Sequence, residues 1–317
     1  MMDRWDGIRR PDSGQSWVLR SATDRTPCHF GLSHEGAAGF LVQASEDCSD
    51  LLRAAPELAS LDIDFLSFPE TGVMGLVVWL RQERDRALFG VLCEDLAGVA
   101  QTCDSERQAF RSVISRLVRW QKFLSSGRAG ILSPEEMRGL MAELAVLRHL
   151  ADLGWAQGAL LASWDGPSGA PQDFRFEKLC LEVKSVSGGS GGTVRISSEY
   201  QLQDLSRDVC LGVVRMSEGG EGDAALSLNE MVSVTAAGLE ARYLAVFEQK
   251  LAAAGYLDLD LYGQPRFSLN PPEFFLVSEG FPGLHVGNVP HGVSSLRYEL
   301  DMRVLEPFRI DILPEPA

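Results

Sequence analysis

The sequence predicts an α/β chain of the α+β kind: a mixed central sheet flanked by helices, an antiparallel sheet lobe before it and an α/β lobe after it. Three observations predict it. A capped amphipathic helix at 133–153 is followed by an alternating two-armed segment at 171–184, an all-apolar strand follows at 209–216, and short apolar runs between turn residues fill both flanks. The 317 residues suffice for two or three lobes, and the distribution of charge marks them as 1–104, 105–216 and 217–317.

The elements follow in order. Residues 1–30 are polar and are expected to be frayed or linker-like. From Gly31 to about Ala100, the runs Gly39–Ala44, Met74–Trp79 and Ala87–Cys93 read as strands of a small antiparallel sheet. A helix is expected over Ser105–Ser126. It carries Arg107, Arg111, Arg116, Arg119 and Lys122, with Phe110, Trp120 and Phe123 interleaved and Arg128 just beyond. Such a stripe can follow a phosphate backbone, although a solvated helix face gives the same pattern. Ser133-Pro134-Glu135-Glu136 is a capping box with proline at the first helical position, and Gly154 stops the helix it opens. Met137, Leu140, Met141, Leu144, Leu147 and Ala151 make the buried stripe of that helix, with Glu143 at its edge. After the 171–184 segment come the glycine-rich stretch 187–192, a strand at 193–197, a short capped helix at 198–205 and the strand 209–216. A loop at 217–223, a helical pair at 228–238 and 239–254, and strands at 267–269, 273–277 and 296–305 complete the chain.

The chemistry concentrates in residues 171–184. Folded about Glu177-Lys178, this segment is a tight hairpin pairing 176 with 179, 175 with 180 and 173 with 182. Phe174, Phe176, Leu179, Leu181 and Val183 share one face, and Asp173, Arg175, Cys180, Glu182 and Lys184 the other. Two carboxylates facing each other across a strand pair repel, so one stays protonated or a divalent cation neutralises both. Oxygen ligands at that spacing suit Mg²⁺ or Mn²⁺. Lys184 lies on the same face, able to orient water or balance charge on a phosphoryl group.

These residues resemble the PD-(D/E)XK nuclease superfamily, the restriction-endonuclease-like fold, and within it a bacterial family found near phage-defence and restriction-type genes. Pro171-Gln172-Asp173 stands in the place of the "PD" half, with one residue inserted, and Glu182-Val183-Lys184 matches the "(D/E)XK" half. Gly139-Leu-Met-Ala-Glu143-Leu is similar to the helix whose acid assists metal binding, and Ile196-Ser-Ser-Glu-Tyr-Gln201-Leu resembles the segment in which many members carry a glutamine near the site. The resemblance implies Asp173 and Glu182 as ligands of Mg²⁺ or Mn²⁺, Glu143 as a supporting ligand through water, Lys184 as the catalytic lysine and Gln201 beside them. It implies a metal-dependent endonuclease acting on DNA, RNA not being excluded, in a restriction-like defence role. Weaker likeness extends to Glu279-Gly-Phe-Pro and Leu296–Asp301.

Composition constrains the partners. The formal charge is −15, which opposes binding to a polyanion. The acidity lies in the flanks: residues 1–104 hold 9 basic and 17 acidic side chains, 105–215 hold 14 and 12, and 216–317 hold 6 and 15. Weak intrinsic affinity, supplemented by a partner protein, is the expectation. A noncatalytic scaffold or nucleic-acid-binding subunit of a defence complex is the competing reading. No apolar stretch approaches the roughly 18–20 residues needed to span a bilayer, and the start shows no signal region, so a cytoplasmic location is expected. Six cysteines without a C-x-x-C pair read as reduced thiols. Neither G-x-x-x-x-G-K-[ST] nor G-x-G-x-x-G occurs, which argues against a phosphate-binding loop.

Overall fold

The computed structural model describes residues 5–311 and 313, apart from 14, 22–26, 46, 49, 52–54, 59, 69–72, 126–130, 189–191, 205, 220–224, 285–288 and 290–295. The chain forms two compact units, Met1–Ile131 and Leu132–Ala317.

The first unit is an antiparallel sheet with two helices. Its strands are β1 (Gln15–Ser21), β2 (Cys28–Ser33), β3 (Ala38–Ala44), β4 (Leu61–Phe68) and β5 (Val73–Leu80), in the order β1-β2-β3-β5-β4. Helices α1 (Arg86–Gln101) and α2 (Glu106–Ser125) follow and pack on each other and on β3. Two expectations are corrected here. Ala87–Cys93 is not a strand but the start of α1, because Phe89, Leu92, Cys93, Leu96, Ala97 and Ala100 recur at helical spacing and all are buried. Nor is the stretch before Gly31 frayed throughout: β1 pairs with β2, and the buried Trp5 donates its indole N–H to Gly39 O at 3.0 Å. Strand β4, whose Asp62 and Asp64 alternate with Leu61, Ile63 and Phe65, is a further addition.

The second unit holds α3 (Pro134–Asp152), α4 (Gln157–Ser163), β6 (Phe174–Arg175), β7 (Leu179–Ser187), β8 (Thr193–Ile196), β9 (Asp208–Glu218), α5 (Leu228–Ala237) and α6 (Ala241–Ala253). It ends with β10 (Phe267–Leu269), β11 (Glu273–Leu276), β12 (Tyr298–Asp301), α7 (Met302–Leu305) and β13 (Arg309–Ile310). The capping box of α3 is formed in both directions by Ser133 and Glu136, and Gly154, at φ 92°, turns the chain out of that helix. The central sheet runs β13-β11-β9-β7-β6, with β10 also on β9. Its β7–β9 pair is parallel and its other pairs antiparallel, so it is the mixed sheet expected. Strands β10, β11 and β13 therefore extend the central sheet instead of closing a separate one.

The register assigns the faces. Glu182 pairs with Leu211 and Lys184 with Val213, so these side chains share a face with Val186. On that face Val186, Leu211 and Val213 join Val194 and Ile196 of β8 and Leu300 of β12 in one apolar cluster. On the opposite face Leu181, Gly212 and Phe274 line up, and the His149 ring of α3 lies 5.9 Å from that of Phe274. Two further expectations are corrected. Residues 198–204 form turns and no helix, and only 298–301 of the expected 296–305 strand is extended, with α7 taking over at Met302. No helix among the described residues is long and apolar enough to cross a membrane.

Candidate active site

The hairpin forms in the predicted register. Phe174 pairs with Leu181 and Arg175 with Cys180, and Phe176 N donates to Leu179 O at 2.8 Å, which sets Asp173 opposite Glu182. The surroundings differ from a half-solvated strand. β7 is buried on both faces because β6 and β9 flank it while α3 and the β8–β12 ladder cover it, and Glu182 is only 1% exposed.

Each acid is held by a different device. Asp173 Oδ2 accepts from Val183 N at 2.7 Å, and its backbone carbonyl accepts from Asp165 N at 2.7 Å and Gly166 N at 2.9 Å. Glu182 Oε1 lies 2.6 Å from Lys184 Nζ, whereas Glu182 Oε2 is buried without a hydrogen-bond partner among the described residues. Glu143, from α3, accepts the Trp164 indole N–H at Oε2, 2.6 Å away. The Glu143 and Asp173 carboxylates approach each other across Gly166. A Cβ built on that glycine would stand 2.7 Å from Glu143 Oε2 and 2.9 Å from Asp173 Oδ1.

The electrostatics follow from this crowding. Burial pushes the Glu182 carboxyl well above its ordinary range, and the Asp173 and Glu143 charges push the same way against the pull of Lys184. Asp173 is raised by desolvation, which outweighs Lys184 and the Val183 N–H. Burial alone would lower the Lys184 ammonium, but Glu182, Asp173 and Glu143 together hold it above its usual value. The carboxylates of Glu182, Asp173 and Glu143 thus gather around the Lys184 ammonium.

Gln201 accepts at its side-chain oxygen from Ser197 N at 2.7 Å, closing the turn. The inserted Gln172 has a role that its sequence position did not suggest. It is 3% exposed and donates from Nε2 to Tyr200 O at 2.8 Å and Gln203 O at 3.0 Å, tying the 198–204 turn to the strand that carries Asp173. Trp164 and Gly166 were also missed, since no spacing rule connects them to Glu143. The W-D-G run after a short helix was the only available signal. The basic stripe of α2 is largely occupied: Arg116 is buried against Asp95, Arg107 is bound to Asp50, and Phe110 and Trp120 are core residues. Arg111 and Arg119 are exposed, and Arg128 and the side chains of Lys122 and Phe123 lie outside the described residues.

A family model described as "Putative PD-(D/E)XK family member, (DUF4420)" matches residues 1–303. The chain belongs to this family. Curated proteins and solved structures gave no match. Members of a PD-(D/E)XK family are expected to hold a divalent cation. Among the described residues no three His, Cys, Asp or Glu side chains form a ready coordination shell. The PD-(D/E)XK residues nevertheless fit the group. Glu182 presents an orphaned buried oxygen, Asp173 Oδ1 faces the space that a Cβ on Gly166 would fill, and hard carboxylate oxygens suit a cation that completes its shell with water and substrate.

Proposed function

We propose that this PD-(D/E)XK chain is a Mg²⁺- or Mn²⁺-dependent endonuclease that hydrolyses DNA phosphodiester bonds. Asp173 and Glu182 would hold the metal, Glu143 would support it and Lys184 would act on the reacting groups. The observation that carries this reading is the buried Glu182 carboxylate, with one oxygen on Lys184, the other orphaned and Asp173 directly across the hairpin. A structural acid would not be left so, because an unsatisfied buried carboxylate oxygen costs about 1–3 kcal/mol or more.

A bound cation would supply charge neutralisation at the phosphoryl group and acidify water. The chain's own residues do the rest. Asp173 is fixed through both its side chain and its carbonyl, so its other carboxylate oxygen keeps one direction. Lys184 Nζ, fixed by Glu182, keeps a positive charge where negative charge grows during in-line attack, and its remaining N–H donors can orient water or a phosphoryl oxygen. The sheet on one side and the β8–β12 ladder on the other limit access by bulk solvent. The net charge of −15 favours a partner protein that supplies nucleic-acid affinity or ATP-driven activity, and cytoplasmic action in a restriction-like defence system is part of the proposal.

Nicking of supercoiled plasmid tests it. Wild type with Mg²⁺ should convert plasmid to open circles, and Lys184→Ala and Asp173→Ala should each slow this by about 10²–10³-fold or more. Binding of plasmid without metal, and no cleavage by any variant, would favour the noncatalytic scaffold. Cleavage of an RNA hairpin in preference to plasmid would redirect the substrate assignment.

A further inference from the structure

Glu143 and Asp173 sit on different elements, α3 and the segment entering β6, yet both carboxylates border Gly166. One three-residue stretch touches both. Trp164, fully buried at the end of α4, bonds the Glu143 side chain through its indole N–H and forms a β-bridge with Phe174. Asp165 N and Gly166 N, the next two amides, both bond the Asp173 carbonyl. Lys250 of α6 secures the stretch from outside: its ammonium donates to Trp164 O and lies 3.8 Å from Asp165 Oδ1, and Phe247 of α6 lies 6.1 Å from the Trp164 ring.

Two details argue that this stretch serves the carboxylates and not merely the fold. Gly166 does not adopt the left-handed backbone, so what excludes a side chain there is space, and that space is bounded by the two carboxylate oxygens. The Trp164 indole donates to Glu143 and orients a carboxylate oxygen without adding a charge of its own. An arginine in its place would satisfy the acid and compete with a cation.

We propose that Trp164-Asp165-Gly166 is the positioning element of the site: Trp164 aims the Glu143 carboxylate and Gly166 keeps the gap between Glu143 and Asp173 open. This rests on the metal-dependent reading, because the acids it spaces are those assigned to the cation.

Two measurements test it. In protein with ¹⁵N-labelled tryptophan, the six indole N–H resonances are recorded, and Trp164→Phe identifies the Trp164 signal. Glu143→Ala should shift that signal more than the other five, and an unchanged Trp164 signal would overturn the proposal. Calorimetric titration with Mn²⁺ then compares wild type, Trp164→Phe and Gly166→Ala, each also in the Glu143→Ala background. Loss of an orienting partner should weaken Mn²⁺ by about ten- to a hundredfold. Once Glu143 is gone, adding Trp164→Phe should cost less than about twofold, since the two act as one unit. Wild-type affinity in both single variants would overturn the proposal. Gly166→Ala leaves the indole in place and keeps the test open should Trp164→Phe fail to fold. A wild-type chain that binds no Mn²⁺ removes the metal reading, and the indole resonance then decides positioning alone.

Discussion

Two carboxylates largely shielded from water, one in each unit, show how differently a folded chain treats an acid. In the first unit Asp95 faces Arg116 in a two-point pair, with Nε to Oδ2 at 2.6 Å and a second guanidinium nitrogen to Oδ1 at 2.7 Å. The Trp120 indole N–H adds a third bond at 2.8 Å. Both oxygens are satisfied and the charges cancel. In the second unit Glu182 has the Lys184 ammonium on one oxygen and, among the described residues, nothing on the other, with two more acids nearby. Shielding from water is common to the two, with side chains 9% and 2% exposed, so shielding does not mark function. The mark is the missing complement: Asp95 is closed within the chain, and Glu182 leaves a position for something from outside.

Breaking each acid in turn should expose the contrast. The largest effect on stability is expected from Asp95→Ala, which removes the acid bound bidentately to Arg116. About 3–5 kcal/mol should be lost in chemical denaturation, and no divalent cation should restore it. Equal destabilisation by Asp95→Ala and Glu182→Ala would erase the distinction. Next in size is the response to metal. Mg²⁺ at about a hundred times its dissociation constant should stabilise wild type by about 2.7 kcal/mol, and Asp173→Ala should abolish the shift in melting temperature. An unchanged shift in that variant would move the cation away from the hairpin.

A smaller effect follows from pH. Asp173 and Glu182 are both raised in the folded chain, from ordinary values of 3.8 and 4.5, so the folded state binds more protons than the unfolded one. Their contribution is favourable below the ordinary carboxylate range and is lost as pH rises through the folded values. Metal-free protein should therefore melt lower as pH is raised from about 4 toward neutrality. Glu182→Gln should flatten that slope and gain about 1–3 kcal/mol at pH 8. A slope identical to wild type would place the buried proton elsewhere. The smallest effect belongs to the exposed Arg242–Glu240 pair, where Arg242→Ala should change stability by less than about 1 kcal/mol.

Much of the second unit was legible along the chain because its signals are local. Alternation across 171–184 fixes the hairpin register that sets Asp173 against Glu182, and Ser133 with Glu136 fixes where α3 begins. Elsewhere the same rules misled. Ala87–Cys93 is an apolar run whose helical continuation, Leu96, Ala97 and Ala100, lies beyond the window that suggested a strand. Residues 198–204 have the composition of a capped helix, but Gln172 draws the Tyr200 and Gln203 carbonyls out of a helical ladder.

By itself, then, the sequence determined the identity, order and spacing of Asp173, Glu182 and Lys184, the helix that carries Glu143 and the strand–helix grammar around them. These are short-range properties set by strand and helix periodicity and by end capping. The tertiary structure alone decided that β11 and β13 extend the central sheet and that β7 is covered on both faces. It also decided that Trp164 meets Glu143, 21 positions earlier in the chain, and that one Glu182 oxygen has no partner among the described residues. Those outcomes depend on which surfaces exclude water together, and a linear pattern does not encode that when the contacting residues lie on separate elements.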